Sequence, residues 1–436
     1  MQNMRLSGWG NYPVIESDIF NPGSNRAASE LLTQSHFNGI ARGLGRSYGD
    51  SSLAQQVMTT RSLDHFSQFD KSSGLLSCSA GVALSDILEV FAPQGWFLPA
   101  TPGTKFVTVG GAIASDVHGK NHHVEGSFCD HLQSFTLLLA SGETVSCSEN
   151  ENSDLFHASC GGMGLTGIIL TATFKLKKIS STYIEQTTMK AHNLGELFEL
   201  FDEFDSSTYS VAWIDCLSTG KKTGRSVLIL GEHSKNNNYA MPEKKHLSVP
   251  VMLPNFVLNR YTSQIFSHLY YHRAPANNTC ETVHYDPYFY PLDNIYNWNR
   301  VYGKRGFAQY QFVIPRKDGK EGIARVLDQI TKSKRGSFLS VLKAFGKGNN
   351  NLLSFPTQGY TLALDFKLYD GLFDFLDTLD EIVLEHGGRI YLTKDARMSE
   401  KTFKHSYPNW QAFSEIRKKY GADKVFNSLQ SQRLGI

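Results

Sequence analysis

The sequence has almost no charge imbalance and no paired cysteine motif, and each absence argues against a class of function. Its 43 Lys and Arg residues stand against 41 Asp and Glu residues, which leaves a formal net charge of +2. Such a balance lacks the basic surface that binding to nucleic acid requires. The six cysteines form no CxxC pair and no compact framework. This spacing predicts reduced thiols in a reducing compartment rather than disulfide bridges or a zinc site.

Long apolar runs are missing as well. The first residues, MQNMRLSGWGNYPV, contain no hydrophobic stretch typical of a secretory signal. No segment approaches the roughly 20 apolar residues that are needed to cross a bilayer. We therefore expect a cytoplasmic protein that is soluble or peripheral at the inner face of the membrane. Internal repeats and low-complexity tracts are also absent.

The chain is long enough for more than one hydrophobic core. Its first part alternates short β-rich runs with helical patterns, such as the one-face spacing of Leu84, Ile87, Leu88 and Phe91. Longer polar and aromatic strands follow, with helices predicted near 318–333, 370–386 and finally 408–420. These patterns predict an α+β protein with three segments: an N-terminal domain over 1–184, a β-rich substrate domain with helices over 185–385, and a C-terminal segment over 386–436 that returns to the first domain.

The segment 240–275 has a composition of its own. Prolines, apolar residues, aromatics and basic residues occur together in it. Two interpretations stay open: an irregular connection packed on the core, or a loop that contacts lipid. The second follows from the basic and aromatic character, which suits a membrane surface.

Three glycine-rich stretches carry the chemistry. They are ARGLGRSYGD at 41–50, PGT with TVGGAIASDVHGKNHH at 102–123, and GGMGLTGII at 161–169. Glycines let backbone N–H groups converge on a pyrophosphate and let the backbone approach a ring closely. The first stretch lacks the strand–GxGxxG–helix context and the acid about twenty residues on, so a nicotinamide fold is disfavoured. Three separate loops instead suit an extended dinucleotide whose ring lies across the later two.

The order of these loops resembles the FAD-binding domain of the vanillyl-alcohol-oxidase family. That resemblance implies a PCMH-type FAD-binding domain made of two α+β subdomains, followed by the substrate domain. Further motifs, QYQFVIP, SFLSVLKAFG and GGRIYLTKDAR, extend the resemblance from about residue 5 to the C-terminus. Together the motifs are similar to those of the branch of the family that oxidises polyprenyl-phosphoryl sugars.

The resemblance implies an activity. It is the oxidation of the 2′-hydroxyl of a polyprenyl-phosphoryl-β-D-ribose to the 2′-keto sugar, the first half of an epimerisation to arabinose in cell wall biosynthesis. A reductase partner that uses NAD(P)H would complete that epimerisation. The alternative enzyme is a soluble sugar or aldonolactone oxidase, similar to D-arabinono-1,4-lactone oxidase. A different class of function, a scaffold subunit that keeps flavin only for structure, is disfavoured by the intact candidate residues.

The resemblance also implies how FAD is held. Arg46 stands where many relatives with sugar-lactone substrates carry a flavin-linking histidine, so FAD is expected to bind without a covalent link. Arg42 and Arg46 are expected to neutralise the pyrophosphate, and Tyr391 matches a position that touches the flavin. The residues expected to bind FAD are Arg42, Gly43, Leu44, Gly45, Arg46, Ser47, Tyr48, Gly49, Gly103, Thr108, Val109, Gly110, Gly111, Ser115, Asp116, Val117, His118, Gly164, Ile169 and Tyr391.

The oxidation needs a base or hydrogen-bond acceptor and a cation near the reacting carbon. By resemblance, Lys394 lies beside flavin and substrate, where burial near another cation would lower its pKa. Its alternative is a surface lysine that pairs with Asp395. Tyr48 can hydrogen-bond the substrate hydroxyl or be an ordinary core tyrosine, and His118 matches a histidine on the substrate side of the flavin. The expected substrate contacts are Trp213, Gln309, Gln311, Lys343 and Lys394, with Lys343 meeting the phosphate and the two glutamines sharing one strand face.

Two further observations complete the prediction. His118, His122, His123 and His131 invite a metal interpretation, but no carboxylate or cysteine completes a zinc-like ligand set, so no metal is expected. Ala363 and Thr361 depart from the resembled pattern, which often has a cysteine and an asparagine at these places. A thiol is therefore not needed for the chemistry in an active enzyme of this sequence, and the fine shape of the pocket differs.

Overall fold

The structure is a computed structural model that describes residues 2–241, 247–254, 257–275, 278–337 and 339–436. The first 178 residues form a mixture of short strands and helices. These are β1 Gln2–Ser7, β2 Val14–Phe20, α1 Asn25–Gln34, β3 Gly39–Arg42, β4 Gln56–Thr59, β5 Phe66–Asp70, β6 Leu75–Ser79, α2 Leu84–Phe91, β7 Trp96–Phe97, α3 Val109–Ala114, α4 His122–Glu125, β8 Leu132–Leu138, β9 Thr144–Ser148, α5 Ser153–Ser159, β10 Ile168–Lys175 and β11 Lys177–Lys178.

Two sheets organise this part of the chain. One has the strand order β1-β2-β4-β3, and the other has the order β5-β6-β10-β8-β9. Helix α2 buries Leu84, Ile87, Leu88 and Phe91 against the second sheet, as their one-face spacing predicts. The glycine-rich stretches lie at the ends of these elements, since the first follows β3 and the third precedes β10. The two sheets therefore bring the glycine-rich loops to the same part of the molecule.

The remaining chain forms one large sheet with helices. Its elements are β12 Tyr183–Ala191, α6 Leu194–Glu203, β13 Tyr209–Ile214, β14 Ser226–His233, β15 Leu247–Ser248, α7 Arg260–Arg273, β16 Thr279–His284, α8 Tyr285–Phe289, β17 Ile295–Tyr296, β18 Phe307–Pro315, α9 Arg316–Ser333, β19 Ser340–Phe345, β20 Gly359–Lys367, α10 Leu372–Glu385, β21 Arg389–Ile390, α11 Glu400–Ser406, α12 Trp410–Lys419 and α13 Leu429–Leu434. The eight-stranded sheet has the order β16-β12-β14-β13-β19-β20-β18-β21. Sheets and helices together confirm the predicted α+β class.

The two faces of the eight-stranded sheet have different roles. On one face, Phe312, Leu342 and Leu362 join a large apolar cluster with α6, α9 and α10. On the other face, the register pairs Gln309 with Asp365 and Gln311 with Ala363. Because alternate residues of a strand point to opposite faces, Gln309 and Gln311 share that second face, as their spacing predicts.

The segment 240–275 contains a helix, which corrects the expectation that it is irregular or a loop, whereas its contact with lipid stays a prediction. Residues 242–246 and 255–256 lie outside the described residues, but Arg260–Arg273 form the 14-residue helix α7. Asn259 caps it by accepting hydrogen bonds from the backbone of Tyr261 and Thr262. Its buried positions are Ser263, Ser267 and Tyr271. Because the buried face of α7 carries two serines and a tyrosine, it lacks the aliphatic stripe from which a core-facing helix is normally predicted.

The C-terminal segment contacts both parts of the protein. β21 pairs with β18 of the large sheet, whereas the backbone around Phe426 bridges to Gly39 of β3. The helix predicted near 408–420 is α12, and a further helix, α13, follows it. The boundaries at 184 and 385 stay predictions.

Two other features bear on the expectations from composition. The six cysteines, all among the described residues, are free, and five of them are buried. In the ranges that the structure describes, no helix combines the length and the hydropathy that a membrane span requires.

Candidate active site

One cavity lies between the glycine-rich loops and the second face of the eight-stranded sheet. It encloses about 1740 Å³ of space, part of it open to solvent. Most residues predicted to bind FAD or substrate line it. They are Arg42, Gly43, Leu44, Gly45, Arg46, Ser47, Tyr48, Gly103, Thr108, Gly110, Gly111, Ser115, Val117, His118, Gly164, Ile169, Gln309, Gln311, Lys343, Tyr391 and Lys394. The fold thus brings together residues that lie up to about 350 positions apart in the sequence, which the loops alone could not show.

Four predicted residues do not line this cavity. Gly49 packs against the backbone carbonyl of Asp395, which leaves no room for a Cβ. Val109 is fully buried in the core of the first part. Trp213 lies on the same sheet face as Lys343 but packs against Val227 and the aromatic residues of α7. None of these three residues presents a side chain to the cavity, so their predicted ligand contacts stay predictions.

Asp116 is the fourth. Its carboxylate is completely buried and accepts hydrogen bonds from five groups, at 2.6 to 3.3 Å. The donors are the hydroxyls of Ser127 and Ser354, the backbone N–H of Cys129, and the side-chain amides of Asn349 and Asn351. Asp116 therefore fastens the second glycine loop to the segment after β19, and its side chain does not reach the cofactor space.

The loops leave space that suits a flat ring and a phosphate chain. A Cβ added to Gly43 would meet the side chain of Thr108, so the first two loops touch directly. A Cβ on Gly103 would meet nothing within 4 Å and would extend into the cavity. The buried Nδ1 of His118 has no hydrogen-bond partner among the described residues. An open wall and an unpartnered polar atom together fit a flavin bound in this cavity.

The two arginines of the first loop, Arg42 and Arg46, have different contacts. The guanidinium of Arg42 donates to the carbonyl of Ser7 at 2.7 Å and to the carbonyl and hydroxyl of Ser52 at 3.2 and 3.1 Å. It therefore holds the first loop in place while it lines the cavity, and its contact with a pyrophosphate stays a prediction. The guanidinium of Arg46 lies 4.0 Å above the ring of Trp9 and lines the cavity. Burial lowers the pKa of both arginines, and either remains a cation near neutral pH.

Lys394 is half-buried and stacked on the ring of Tyr48. Its Nζ lies 3.9 Å from the ring centroid, a cation–π geometry. Burial lowers the pKa of Lys394 to about 7, against the opposing charge of Asp365 and with the help of the Lys343 ammonium. Asp395 is occupied elsewhere, because Arg433 binds its carboxylate at 2.8 Å. The alternative of a surface lysine paired with Asp395 is therefore wrong.

A buried carboxylate lies behind this lysine. Gln309 donates through Nε2 to Oδ1 of Asp365 at 2.5 Å, and the hydroxyl of Tyr302 donates to Oδ2 at 3.2 Å. Burial raises the pKa of Asp365 to about 6, while the Gln309 hydrogen bond and the charge of Lys394 act in the opposite direction. The amide N–H₂ of Gln309 thus faces Asp365, and the side chain of Gln309 also hydrogen-bonds with Tyr48.

A second hydrogen-bonded group, formed by Gln311, His118 and Thr361, lies on the same side of the cavity as Gln309. Gln311 donates to Nε2 of His118 at 3.1 Å and to the hydroxyl of Thr361 at 3.2 Å. Burial and the nearby Lys343 lower the pKa of His118 well below its usual value. The imidazole is thus neutral near pH 7, with its proton on the unpartnered Nδ1. Thr361 supplies the acceptor for Gln311, and Ala363 leaves the adjacent wall without a thiol.

Lys343 and Tyr48 complete the polar part of the wall. Burial lowers the pKa of Lys343 to about 8, so most molecules carry its ammonium at neutral pH. Burial raises the pKa of Tyr48 well above its ordinary value, with Asp365 adding to the effect. Tyr48 therefore stays a neutral phenol that can donate or accept a hydrogen bond.

The four histidines considered as metal ligands each have a different partner. Nε2 of His118 accepts from Gln311, and Nδ1 of His122 accepts from the backbone of Gly346 at 3.2 Å. His123 bonds the carbonyl of Ser207, and His131 bonds that of Glu125. Within the ranges that the structure describes, no three metal-ligating side chains form a group.

Sequence reasoning missed several residues of the wall. Asp293 lines the cavity and accepts from the backbone of Lys105 at 2.8 Å. Trp9 and Trp298 add aromatic surface. No motif marks these three positions. Asp365 did carry a usable signal, because the antiparallel pairing of β18 with β20 places it beside Gln309.

Comparison with known proteins bears on the same cavity. A family model described as FAD binding domain matches residues 20–148, and one described as D-arabinono-1,4-lactone oxidase matches residues 259–434. The decaprenylphosphoryl-beta-D-ribose oxidase of Mycolicibacterium smegmatis is 36% identical over 99% of this chain and 97% of its own length. The L-gulono-1,4-lactone dehydrogenase of Mycobacterium tuberculosis is 22% identical over 98% of each chain. The L-gulonolactone oxidase of Mus musculus is 23% identical over 82% of this chain and 80% of its own.

Proposed function

The chain belongs to the family of FAD-dependent decaprenylphosphoryl-β-D-ribose oxidases, and from that premise we propose that it oxidises the 2′-hydroxyl of a polyprenyl-phosphoryl-β-D-ribose to the 2′-keto sugar. It is an FAD-dependent oxidoreductase that acts on a CH–OH group. The observation that carries the proposal is the Lys394 amine, which lies over the ring of Tyr48 and shares with Lys343 the cavity that the glycine loops border.

Lys394 is the group that accepts the hydroxyl proton. With a pKa of about 7, a large fraction of the protein carries it as a neutral amine near neutral pH. A base whose pKa matches the working pH is the most effective proton acceptor. Tyr48, which remains a neutral phenol, orients the same hydroxyl by a hydrogen bond.

FAD, when bound, accepts the hydride from the carbon that carries this hydroxyl. The chain holds FAD through backbone and side chains of the loops. The residues that would hold it are Gly43, Gly45, Arg46, Ser47, Gly103, Gly110, Gly111, Ser115, His118, Gly164 and Tyr391. Arg46 cannot form the covalent link that a histidine forms, so the cofactor would be released by acid precipitation of the protein.

The sheet face positions the rest of the substrate. Gln309 and Gln311 lie on one face of β18, and their side-chain carbonyl oxygens can accept hydrogen bonds from the sugar hydroxyls. Lys343 carries an ammonium on β19, which β20 separates from β18, and can meet the phosphate. A phosphate at that place would also favour the charged form of Lys343.

The proposal includes two partners. A 2′-keto sugar still linked to lipid is a substrate for an NAD(P)H-dependent keto-sugar reductase, which would complete the epimerisation. The lipid itself resides in a membrane, so the enzyme would work peripherally at the inner face, with segment 240–275 as its contact. Both partners follow from the chemistry of the substrate.

Anaerobic reduction of the bound flavin tests the function. Purified protein loaded with FAD is mixed with polyprenyl-phosphoryl-β-D-ribose without oxygen, and the absorbance of oxidised flavin is followed. We expect it to fall. Lys394→Met should keep bound FAD but slow the fall by about 10²- to 10⁴-fold, the usual contribution of a positioned base. Lys71→Met, at an exposed turn, is the matched control and should behave as the parent protein.

Two outcomes would redirect the proposal. Reduction by D-arabinono-1,4-lactone or free sugars, with none by the lipid-linked ribose, would favour the alternative that the lactone oxidase match suggests. Unchanged reduction by the Lys394→Met protein would remove Lys394 from the chemistry.

A further inference from the structure

The most exposed apolar side chains of the described residues lie close together in the sequence. Five large hydrophobic residues are between 60% and 71% exposed, more than any other in these ranges. They are Leu247, Val251, Tyr261, Ile265 and Leu269, and we call them the apolar collar. Soluble surfaces rarely concentrate such residues without a binding partner.

Helix α7 carries three of the five. Tyr261, Ile265 and Leu269 are spaced by four residues and so share one face. The opposite side buries Ser263 and Ser267. This arrangement reverses the usual pattern, in which the apolar stripe of a helix faces the core. The outward face is therefore suited to an apolar environment outside the protein.

The charged residues within the collar segments have one sign. Residues 247–254 and 257–275 contain no Asp or Glu. Arg260 and Arg273 stand exposed at the two ends of α7. Basic residues beside apolar ones complement the anionic headgroups and the acyl region of a bilayer, whereas a second protein would find no acid to pair with its own cations.

The segment before α7 is hydrogen-bonded to residues beside the cavity wall. Backbone hydrogen bonds of 3.0 Å join Val249 to Tyr296 and Leu253 to Arg300. Between these, Trp298 lines the cavity and packs with Leu258, just before α7. The first half of the collar is thus attached to residues of the cavity wall.

Helix α7 is tied to the wall by a second route. The ring of Tyr270 lies 4.6 Å from that of Trp213. In the sheet, Trp213 stands directly opposite Val341, which lines the cavity. Two independent connections therefore place the collar next to residues of the cavity wall.

Resting on the proposed function, we propose that the apolar collar docks on an anionic bilayer and that the lipid-linked sugar enters the cavity directly from the membrane. The sugar and its phosphate pass inward to Lys343, while the polyprenyl chain stays among the collar residues and the bilayer. The substrate then never has to leave the lipid phase.

Vesicle binding tests the docking surface. The FAD-loaded protein is sedimented with vesicles of phosphatidylcholine, with and without phosphatidylglycerol. Binding is expected and should increase with the anionic lipid. Replacing two side chains of the collar, Ile265→Ser with Leu269→Ser, should weaken partitioning by about tenfold or more. The matched control, Val90→Ser with Val124→Ser, alters side chains 42% and 52% exposed elsewhere and should bind as the parent does.

Activity tests the route of entry. Flavin reduction by a long-chain substrate embedded in vesicles should slow by about tenfold in the Ile265→Ser/Leu269→Ser protein, in proportion to lost binding. Reduction by a short-chain, water-soluble phosphoryl ribose should be unchanged, which also shows that the variant is folded.

The failures can be told apart. If neither substrate reduces the flavin of the parent protein, the proposed function fails, and the vesicle experiment still decides the docking. The docking proposal is overturned if the parent protein does not bind vesicles, or if the double variant binds them equally well. It is also overturned if light scattering shows a dimer that the double variant dissociates while vesicle binding persists.

Discussion

Asp365 lies behind Gln309, yet its charge reaches Lys394. A carboxylate favours the ammonium form of a nearby lysine, and it raises the pKa of Lys394 against the effect of burial. Lys394 must be neutral to accept a proton, so the rate should rise with pH through about 7. Asp365→Asn removes the negative charge, which lowers the pKa of Lys394. We expect the rising limb of the pH–rate profile to move to lower pH by about one pH unit.

The profile separates charge from structure at this residue. The asparagine of the variant would keep an acceptor for the amide of Gln309, as Asp365 does at 2.5 Å. A purely structural defect would reduce the rate at every pH and leave the limb in place. Asp374→Asn, a change at the exposed first turn of α10, provides the control, with an unmoved limb. If the rising limb of the Asp365→Asn profile stays at the pH of the parent protein, the charge of Asp365 does not control the pKa of Lys394.

At the scale of elements, the contact between the first two glycine loops is the feature most sensitive to one added carbon. A methyl group on Gly43 would meet Thr108, whose hydroxyl caps α3 by accepting from Gly111 at 3.2 Å. Gly43→Ala should therefore push the loops apart, weaken FAD binding by about tenfold, and destabilise the protein by about 1–3 kcal/mol, as overpacking does. Flavin fluorescence titration and thermal unfolding measure the two effects.

Gly23→Ala is the matched control for this loop contact. A Cβ at Gly23 meets nothing within 4 Å, so the affinity for FAD and the unfolding temperature should stay near the parent values. Equal affinity for FAD in the Gly43→Ala protein would show that the loops adjust without cost.

The local elements follow from the sequence where a side-chain period exists. The spacing of Leu84 and Leu88 predicts α2, and the alternation of Gln309 and Gln311 predicts their shared face. Helix α7 escapes such reasoning, because its buried side is serine and tyrosine and its aliphatic side is exposed. Prediction from periodicity assumes that apolar residues are buried, whereas in α7 the aliphatic residues are exposed and the buried ones are mostly polar.

The placement of some site residues depends on contacts that no local pattern contains. Asp116 belongs to a glycine-rich motif, but its carboxylate accepts hydrogen bonds from the hydroxyls of Ser127 and Ser354. Trp213 lies on the predicted sheet face, but α7 covers it. In both cases the deciding neighbour comes from a distant part of the chain, so only the assembled fold could exclude these side chains from the cavity.

At the scale of the whole molecule, Arg433 of α13 joins the first and third segments of the chain. It binds Asp50, the last residue of the first glycine-rich stretch, and Asp395, next to Lys394, each at 2.8 Å. Burial raises the pKa of Asp50, while Arg433 acts in the opposite direction. Arg433→Met would leave two buried carboxylates facing each other, and we expect unfolding to become easier by about 3 kcal/mol. Chemical denaturation of the FAD-loaded protein measures this change.

The conservative replacement sharpens that test. Arg433→Lys keeps a cation but loses the forked geometry, so it should recover part of the stability. Arg26→Met breaks an exposed pair with Glu30 on α1 and should change little. Equal denaturation midpoints for Arg433→Met and Arg26→Met would show that the Arg433 pairs do not stabilise the fold.

The same Arg433 contact has a consequence for biosynthesis. Arg433 follows Asp50 by 383 residues, and ribosomes add about 5–20 residues each second. The first glycine loop therefore waits roughly 20–75 seconds after its own translation before its partner emerges. During that interval the nascent chain exposes an incomplete flavin cleft, and a chaperone that shields it has the time of some 383 codons in which to act.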